Sequence, residues 1–83
     1  MKKIEYYTSK TCGPCQAIKP LINEIKNSFP IEVIDVDQNQ ELTTSKGIRS
    51  VPTFIFYNEG QETSRKIGTA SINKRMLLEF FKK

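Results

Sequence analysis

An α/β fold is what this 83-residue chain predicts, in the order β-α-β-α-β-β-α, with a four-stranded mixed sheet flanked by helices. Three observations carry that expectation. Short β-favouring runs at residues 4–8 (IEYYT), 31–36 (IEVIDV) and 53–57 (TFIFY) recur between stretches of different period. Between the first two runs, Ile18, Leu21, Ile22, Ile25 and Phe29 fall at i, i+3, i+4, i+7 and i+11, one apolar stripe of a helix. After the third run, the turn signal Asn58-Glu59-Gly60 leads into a polar fourth one, the pattern of a hairpin. A strand–helix–strand unit pairs its strands in parallel and a hairpin pairs them antiparallel, so the sheet is mixed.

Each element has its own reason. The first strand is short and aromatic, ending near Thr8, and the helix after it starts near Cys12. Pro20 lies inside that helical pattern and removes a backbone N–H, which predicts a kink rather than a stop. Pro30 marks the helix exit. The segment 37–47 (DQNQELTTSKG) reads as a short helix capped near Asn39 and ended by Gly47. Residues 53–57 are apolar nearly throughout and belong in the middle of the sheet. Gln61–Ile67 is charged, as suits an edge that must not aggregate. Past Gly68, Ser71 is a fair N-cap, and Ile72, Met76, Leu77, Phe80 and Phe81 make one face of a last helix.

Residues 1–83 are expected to form a single domain, since a chain of this size buries roughly 60–65% of its unfolded surface and has no room for a second core. With 37% hydrophobic and 27% charged residues it reads as globular rather than disordered. The net charge is +4, but the basic residues are scattered, with no run longer than pairs such as Lys2-Lys3. A nucleic-acid binder concentrates its charge on one stripe, so no nucleic-acid partner is expected. The basic start is interrupted by Glu5, Thr8, Ser9 and Lys10 before any export signal could form, and no stretch reaches membrane-spanning length. The expectation is a cytoplasmic monomer with no membrane partner. In a reducing cytosol, paired cysteines lean toward catalysis or metal rather than a permanent disulfide.

Cys12 and Cys15 are the only cysteines, separated by Gly13 and Pro14. Cys12 sits at or just before the first turn of the helix, where free N–H groups and the positive end of the dipole favour an anion. Such an environment lowers a thiol from about 8.5 to about 3.5–7.5, and Lys10 upstream adds to it. Cys15 is nearly one turn on, which returns its sulfur beside that of Cys12 while placing it deeper and less ionised. An exposed attacking thiolate and a second thiol that displaces the product are what thiol–disulfide exchange requires. Gly13 permits the close approach of a partner backbone, and Pro14 suits the first helical positions. A zinc or iron–sulfur site needs about four ligands. The chain has no histidine and no third cysteine, so no metal is expected. Inert packing of two small residues is the other bland reading, and a pair at a helix N-terminus argues against it.

With CGPC between a strand and a Pro-containing helix, the sequence resembles the thioredoxin superfamily, as a minimal thioredoxin fold covering nearly all 83 residues. Pro20 occupies the place of that family's helix-kinking proline. Asp37-Gln38-Asn39 looks like the loop after its next strand, Gly47 to Thr53 (GIRSVPT) like its cis-proline segment, and Gly68 like a glycine near its active surface. The resemblance implies a cis Val51–Pro52 bond against the CGPC loop and β-type pairing of residue 51 with an incoming chain. The chain also departs from the family. The tryptophan expected before the first cysteine is Thr11, and the buried acid expected six residues before it is Tyr6. Glu5 is adjacent to Tyr6 but points to the other face of the strand. Against glutaredoxins, the motif is CGPC rather than CPYC, and the Lys66-to-Ile72 stretch (KIGTASI) lacks a second glycine and an acid for glutathione.

The expected function is therefore reduction of protein disulfides by dithiol exchange, with Cys12 as nucleophile and Cys15 as resolving thiol. Thr11, Gly13, Pro14, Val51, Pro52, Thr53 and Gly68 are the expected substrate-binding residues. No cofactor beyond the Cys12–Cys15 disulfide is expected, and electrons would come from a thioredoxin reductase or from glutathione. The competing readings are a glutathione-dependent, glutaredoxin-like reductase and a thioredoxin-fold binding module docking through Val51 and Pro52.

Overall fold

The computed structural model describes residues 1–82. Its elements run β1 (Lys2–Thr8), α1 (Gly13–Lys26), β2 (Ile31–Asp35), α2 (Gln40–Ser45), β3 (Thr53–Asn58), β4 (Gln61–Ile67) and α3 (Lys74–Lys82). The sheet order is β2-β1-β3-β4. β1 and β2 pair in parallel, as the intervening helix demands, and β1–β3 and β3–β4 pair antiparallel. The two most buried strands are thus the central ones. β4 is an edge and is exposed along its whole length.

Strand alternation sorts the side chains onto two faces. Ile4, Tyr6, Phe54 and Phe56 face α1 and α3 and form one cluster with Ile18, Ile22, Ile25, Ile72 and Leu77. Tyr7, Ile34, Ile55 and Tyr57 face α2 and make a smaller cluster with Leu42, Ile48 and Val51 at its margin.

Three expectations shift in detail. α1 ends at Lys26 with Asn27 as C-cap, so Phe29 is not part of its stripe. The amides of Ser28 and Phe29 both turn back to the Ile25 carbonyl, and Phe29 instead stacks on Phe81 at 4.9 Å. The Asn39 side chain caps nothing in α2; its Nδ2 donates to the Asp35 carbonyl and ties the loop to the end of β2. The N-cap of the last helix is Asn73 rather than Ser71, with its Oδ1 accepting from the Met76 amide at 2.8 Å. Ile72 is buried just ahead of that helix. Its burial fixes where the helix can begin.

Candidate active site at the start of the first helix

β1 delivers the chain to the C-terminal end of the parallel strand pair, and a tight turn over Ser9–Thr11 feeds it into α1. Cys12 is the N-cap of α1, with extended backbone, and its amide donates to the Ser9 carbonyl at 3.2 Å. Pro14 fills an early helical position, where its missing N–H costs nothing. The Cys15 amide donates to the Cys12 Sγ at 3.2 Å, so the sulfur does the capping that a serine or aspartate oxygen does elsewhere. The dipole and the free amides of the first turn are therefore aimed at this sulfur.

Cys12 and Cys15 are joined as a disulfide, with their Cα atoms 5.2 Å apart. Cys15 is 1% exposed whereas Cys12 is partly exposed. One cysteine meets solvent and the other does not. That asymmetry follows from the helix: three residues on, the side chain has rotated onto the face that also buries Ile18, Ile22 and Ile25.

The loop before β3 closes over the pair. The Val51–Pro52 peptide bond is cis. The Val51 carbonyl oxygen lies 3.7 Å from the Cys12 Sγ, a contact that becomes a hydrogen bond only when Cys12 carries a proton. Pro52 is fully buried and its carbonyl accepts from the Gly68 amide at 2.8 Å, which binds the loop to the end of β4. Gly68 has φ +84, a left-handed conformation that favours glycine. Thr53 is also buried, and its hydroxyl donates to the Ser50 carbonyl at 2.7 Å. The residues expected to bind substrate thus divide. Thr11, Gly13 and Pro14 are exposed around Cys12 and Val51 is partly so, whereas Pro52 and Thr53 shape the loop from below. A Cβ on Gly13 would meet nothing within 4 Å, so the fold itself does not require glycine there.

Several residues join the site that local sequence did not single out. The Ser9 hydroxyl, on a buried residue, donates to Asp37 Oδ2 at 3.0 Å, lies 3.1 Å from the Thr11 hydroxyl and accepts from the Thr11 amide at 3.3 Å. Gln16 Nε2 donates to the Ser9 carbonyl. The turn that presents Cys12 is thereby bolted to the loop after β2. Ile67, opposite Thr53 in the β3–β4 register and next to Gly68, is 74% exposed. A polar residue at the end of an apolar strand was the available signal for Ser9; nothing local marks Ile67.

Tyr6 stands where the family resemblance leads one to look for a buried acid. It stacks on Phe54 at 4.8 Å and its hydroxyl donates to the Cys15 carbonyl at 3.3 Å. Burial pushes this phenol above its ordinary value, so it stays a neutral donor at physiological pH. Glu5 lies on the other face, as alternation requires, where its Oε1 accepts from the Tyr7 and Tyr57 hydroxyls. Among the described residues no group of three or more His, Cys, Asp or Glu could hold a metal ion, and no helix is long and apolar enough to cross a membrane.

Comparison with known proteins agrees with this geometry. The thioredoxin family model matches residues 3–83. A thioredoxin of Mycoplasmoides gallisepticum is 34% identical over 82 residues, covering 95% of this chain and 79% of that protein. A thioredoxin of Rickettsia felis is 31% identical over 81 residues, covering 93% and 75%. Among solved structures, a single-site mutant of a thioredoxin from Halobacterium salinarum superposes with a TM-score of 0.81 at 26% identity, over 94% of this chain and 69% of that one. The thioredoxin of Trypanosoma brucei brucei gives 0.80 at 26% identity, over 98% and 72%. A partly exposed cysteine capping a helix, a buried one a turn behind it, and a family match along nearly the whole chain have one explanation: the protein belongs to the thioredoxin family of thiol–disulfide oxidoreductases.

Proposed function

We propose that the protein reduces disulfide bonds in other proteins, with Cys12 as the attacking sulfur and Cys15 as the resolving one. The observation that carries this reading is the Sγ of the partly exposed Cys12, held by the Cys15 amide while Cys15 itself is buried. In the reduced protein that amide and the helix dipole stabilise a Cys12 thiolate. The thiolate attacks one sulfur of the substrate disulfide. A Cys12–substrate S–S bond forms, the substrate bond breaks, and the departing thiolate takes up a proton. Cys15 then loses its proton and attacks Cys12 Sγ. The Cys12–Cys15 bond forms and the second substrate thiol leaves. Two electrons pass to the substrate, and the pair is the redox centre.

Val51, with Pro52 beneath it, would pair with the backbone of the incoming chain, and Gly13 and Gly68 would leave room for it. Thr11, Pro14 and Ile67 would border the contact. A thioredoxin reductase is the proposed electron donor, and residues 1–83 the unit that acts.

The test is a pair of single substitutions. Cys12→Ser is expected to abolish reduction of a protein disulfide, and retained activity overturns the nucleophile assignment. Cys15→Ser is expected to accumulate a mixed disulfide on a non-reducing gel; finding none contradicts the resolving role. Recycling by NADPH with thioredoxin reductase, set against recycling by glutathione, decides the donor.

A further inference from the structure

A second feature lies beside α1, on the flank away from the Val51–Pro52 loop. A cavity of about 210 Å³ runs between α1 and β2. Its apolar lining comes from Tyr6, Cys15, Ile22 and Val33, and Lys10, Lys19 and Lys26 also line it. Lys19, Ile22 and Lys26 fall at i, i+3 and i+7, so one helix face supplies both the charge and part of the apolar lining. Val33 pairs with Tyr6 in the β1–β2 register and shares its face, yet it is 45% exposed. The volume is below the roughly 300–1,000 Å³ of cofactor-sized sites and suits a side chain.

Two further facts indicate what would cover it. β2 is an edge of the sheet, paired only with β1, so alternate N–H and C=O groups along it point away from any strand. The ion pairs among the described residues use Lys3, Arg65, Lys74, Arg75 and the N-terminus, and none engages the three lysines that line the cavity. The one acid lining it, Asp35, accepts from the Asp37 amide.

We propose that this groove and the β2 edge dock an extended acidic segment of a partner protein, which adds a strand to β2 and seats an apolar side chain on Val33. The backbone edge supplies register, the cavity takes alternate side chains, and the lysines select for glutamate and aspartate between them. A second copy of this chain is the poorer occupant, because a two-fold β2–β2 pairing would bring Lys19 and Lys26 of each copy toward those of the other. The inner end of the groove reaches Ser9, Cys15 and Gln16, but Cys12 does not line it, and the proposed contacts fall on Val33, Lys19 and Lys26.

The probe is a fluorescent, cysteine-free peptide of alternating glutamate and valine, titrated into the full chain by anisotropy and by amide chemical shifts. The expected result is shifts along Ile31–Asp35 and the facing side of α1, with affinity lost as salt is raised. Lys19→Glu with Lys26→Glu is expected to weaken binding about tenfold, and Val33→Glu by at least as much. All three substitutions should leave reduction of a small neutral disulfide unchanged, which separates this surface from Cys12. Shifts confined to residues 12–15 and 49–53, equal binding of a lysine–valine peptide, or wild-type affinity in the charge-reversed variant overturn the proposal. A doubling of mass with β2 shifts in the absence of peptide assigns the edge to a second copy, and binding to anionic vesicles without binding to peptide assigns it to a membrane; either also overturns it.

Discussion

The two faces of the sheet are held down by different forces. Under α1 and α3 the contact is apolar. Ile18, Ile22 and Ile25 from α1 and Leu77 from α3 meet Ile4, Phe54 and Phe56, and Phe80 packs edge-on against Phe56 at 4.9 Å. Under α2 the apolar cluster is smaller, with Leu42 of α2 only at its margin, and a polar network is added to it. No residue of α2 is buried. Instead, just past its end, Lys46 Nζ donates to the Tyr57 hydroxyl at 2.9 Å, and Tyr57 donates to Glu5 Oε1 at 2.7 Å. Glu5 also accepts from Tyr7 at 2.9 Å and faces Lys3 at 3.7 Å. The difference shows how a small domain can supplement a thin apolar layer with a buried hydrogen-bond network. The segment that α2 leads into, residues 47–52, is the one that closes over Cys12. The clasp of hydrogen bonds at Lys46 adjoins that segment, whose Ile48 and Val51 pack against the cluster and whose Pro52 is fully buried.

If this contrast is right, damage should scale with the face. Phe54→Ala, in the larger cluster, is expected to cost about 3–5 kcal/mol, enough to threaten folding of an 83-residue chain in a denaturant melt. Tyr57→Phe keeps the ring but breaks the clasp at its hub, and should cost about 1–2 kcal/mol by the same measurement. A loss as large as that of Phe54→Ala would mean the α2 face carries as much of the stability as the other. Hydrogen exchange in Tyr57→Phe should also quicken first in residues 47–52, and uniform acceleration would contradict the local role of the clasp.

The pH dependence tests the same contrast more gently. Burial, reinforced for Tyr7 by its bond to Glu5, pushes the Tyr7 phenol above its ordinary value of 10.0. Burial also pushes Tyr57 up, with Lys46 opposing it. Folding therefore favours the protonated phenols. Below pH 10 their contribution is fully present; above it the unfolded chain releases protons first, and stability falls as pH rises. Tyr6 does the same on the opposite face, so Tyr7→Phe should reduce the alkaline loss without removing it. Stability that is flat between about pH 9 and pH 11 in the unsubstituted chain would contradict the burial argument. The smallest effect is expected on the β4 edge. There the exposed Glu62–Arg65 pair depresses the Glu62 carboxyl, and Glu62→Ala should change the melt by no more than about 0.5 kcal/mol.

Much of the architecture was legible in local pattern. The span Gln61–Ile67 was readable to the residue, because a glycine-containing turn and a glycine in left-handed backbone bracket it. The helix stripe at Ile18, Ile22 and Ile25 was readable because periodicity is a local property. Phe29 was misplaced for the same reason: it continues the count but follows the C-cap. Ser71 lost the cap to Asn73 because burial of Ile72, a tertiary event, set where the helix could start.

By itself the sequence determined the element order, the mixed sheet, and the placing of Cys12 ahead of Cys15 at a helix start. All of these depend on neighbours a few residues apart. Only the tertiary structure decided that Ser9 is fastened to Asp37, 28 residues on, that Ile67 stands exposed beside Pro52 and Gly68, and that Val33 lies open along a lysine-lined groove. Those juxtapositions come from closing the sheet, which brings together residues that no spacing along the chain relates.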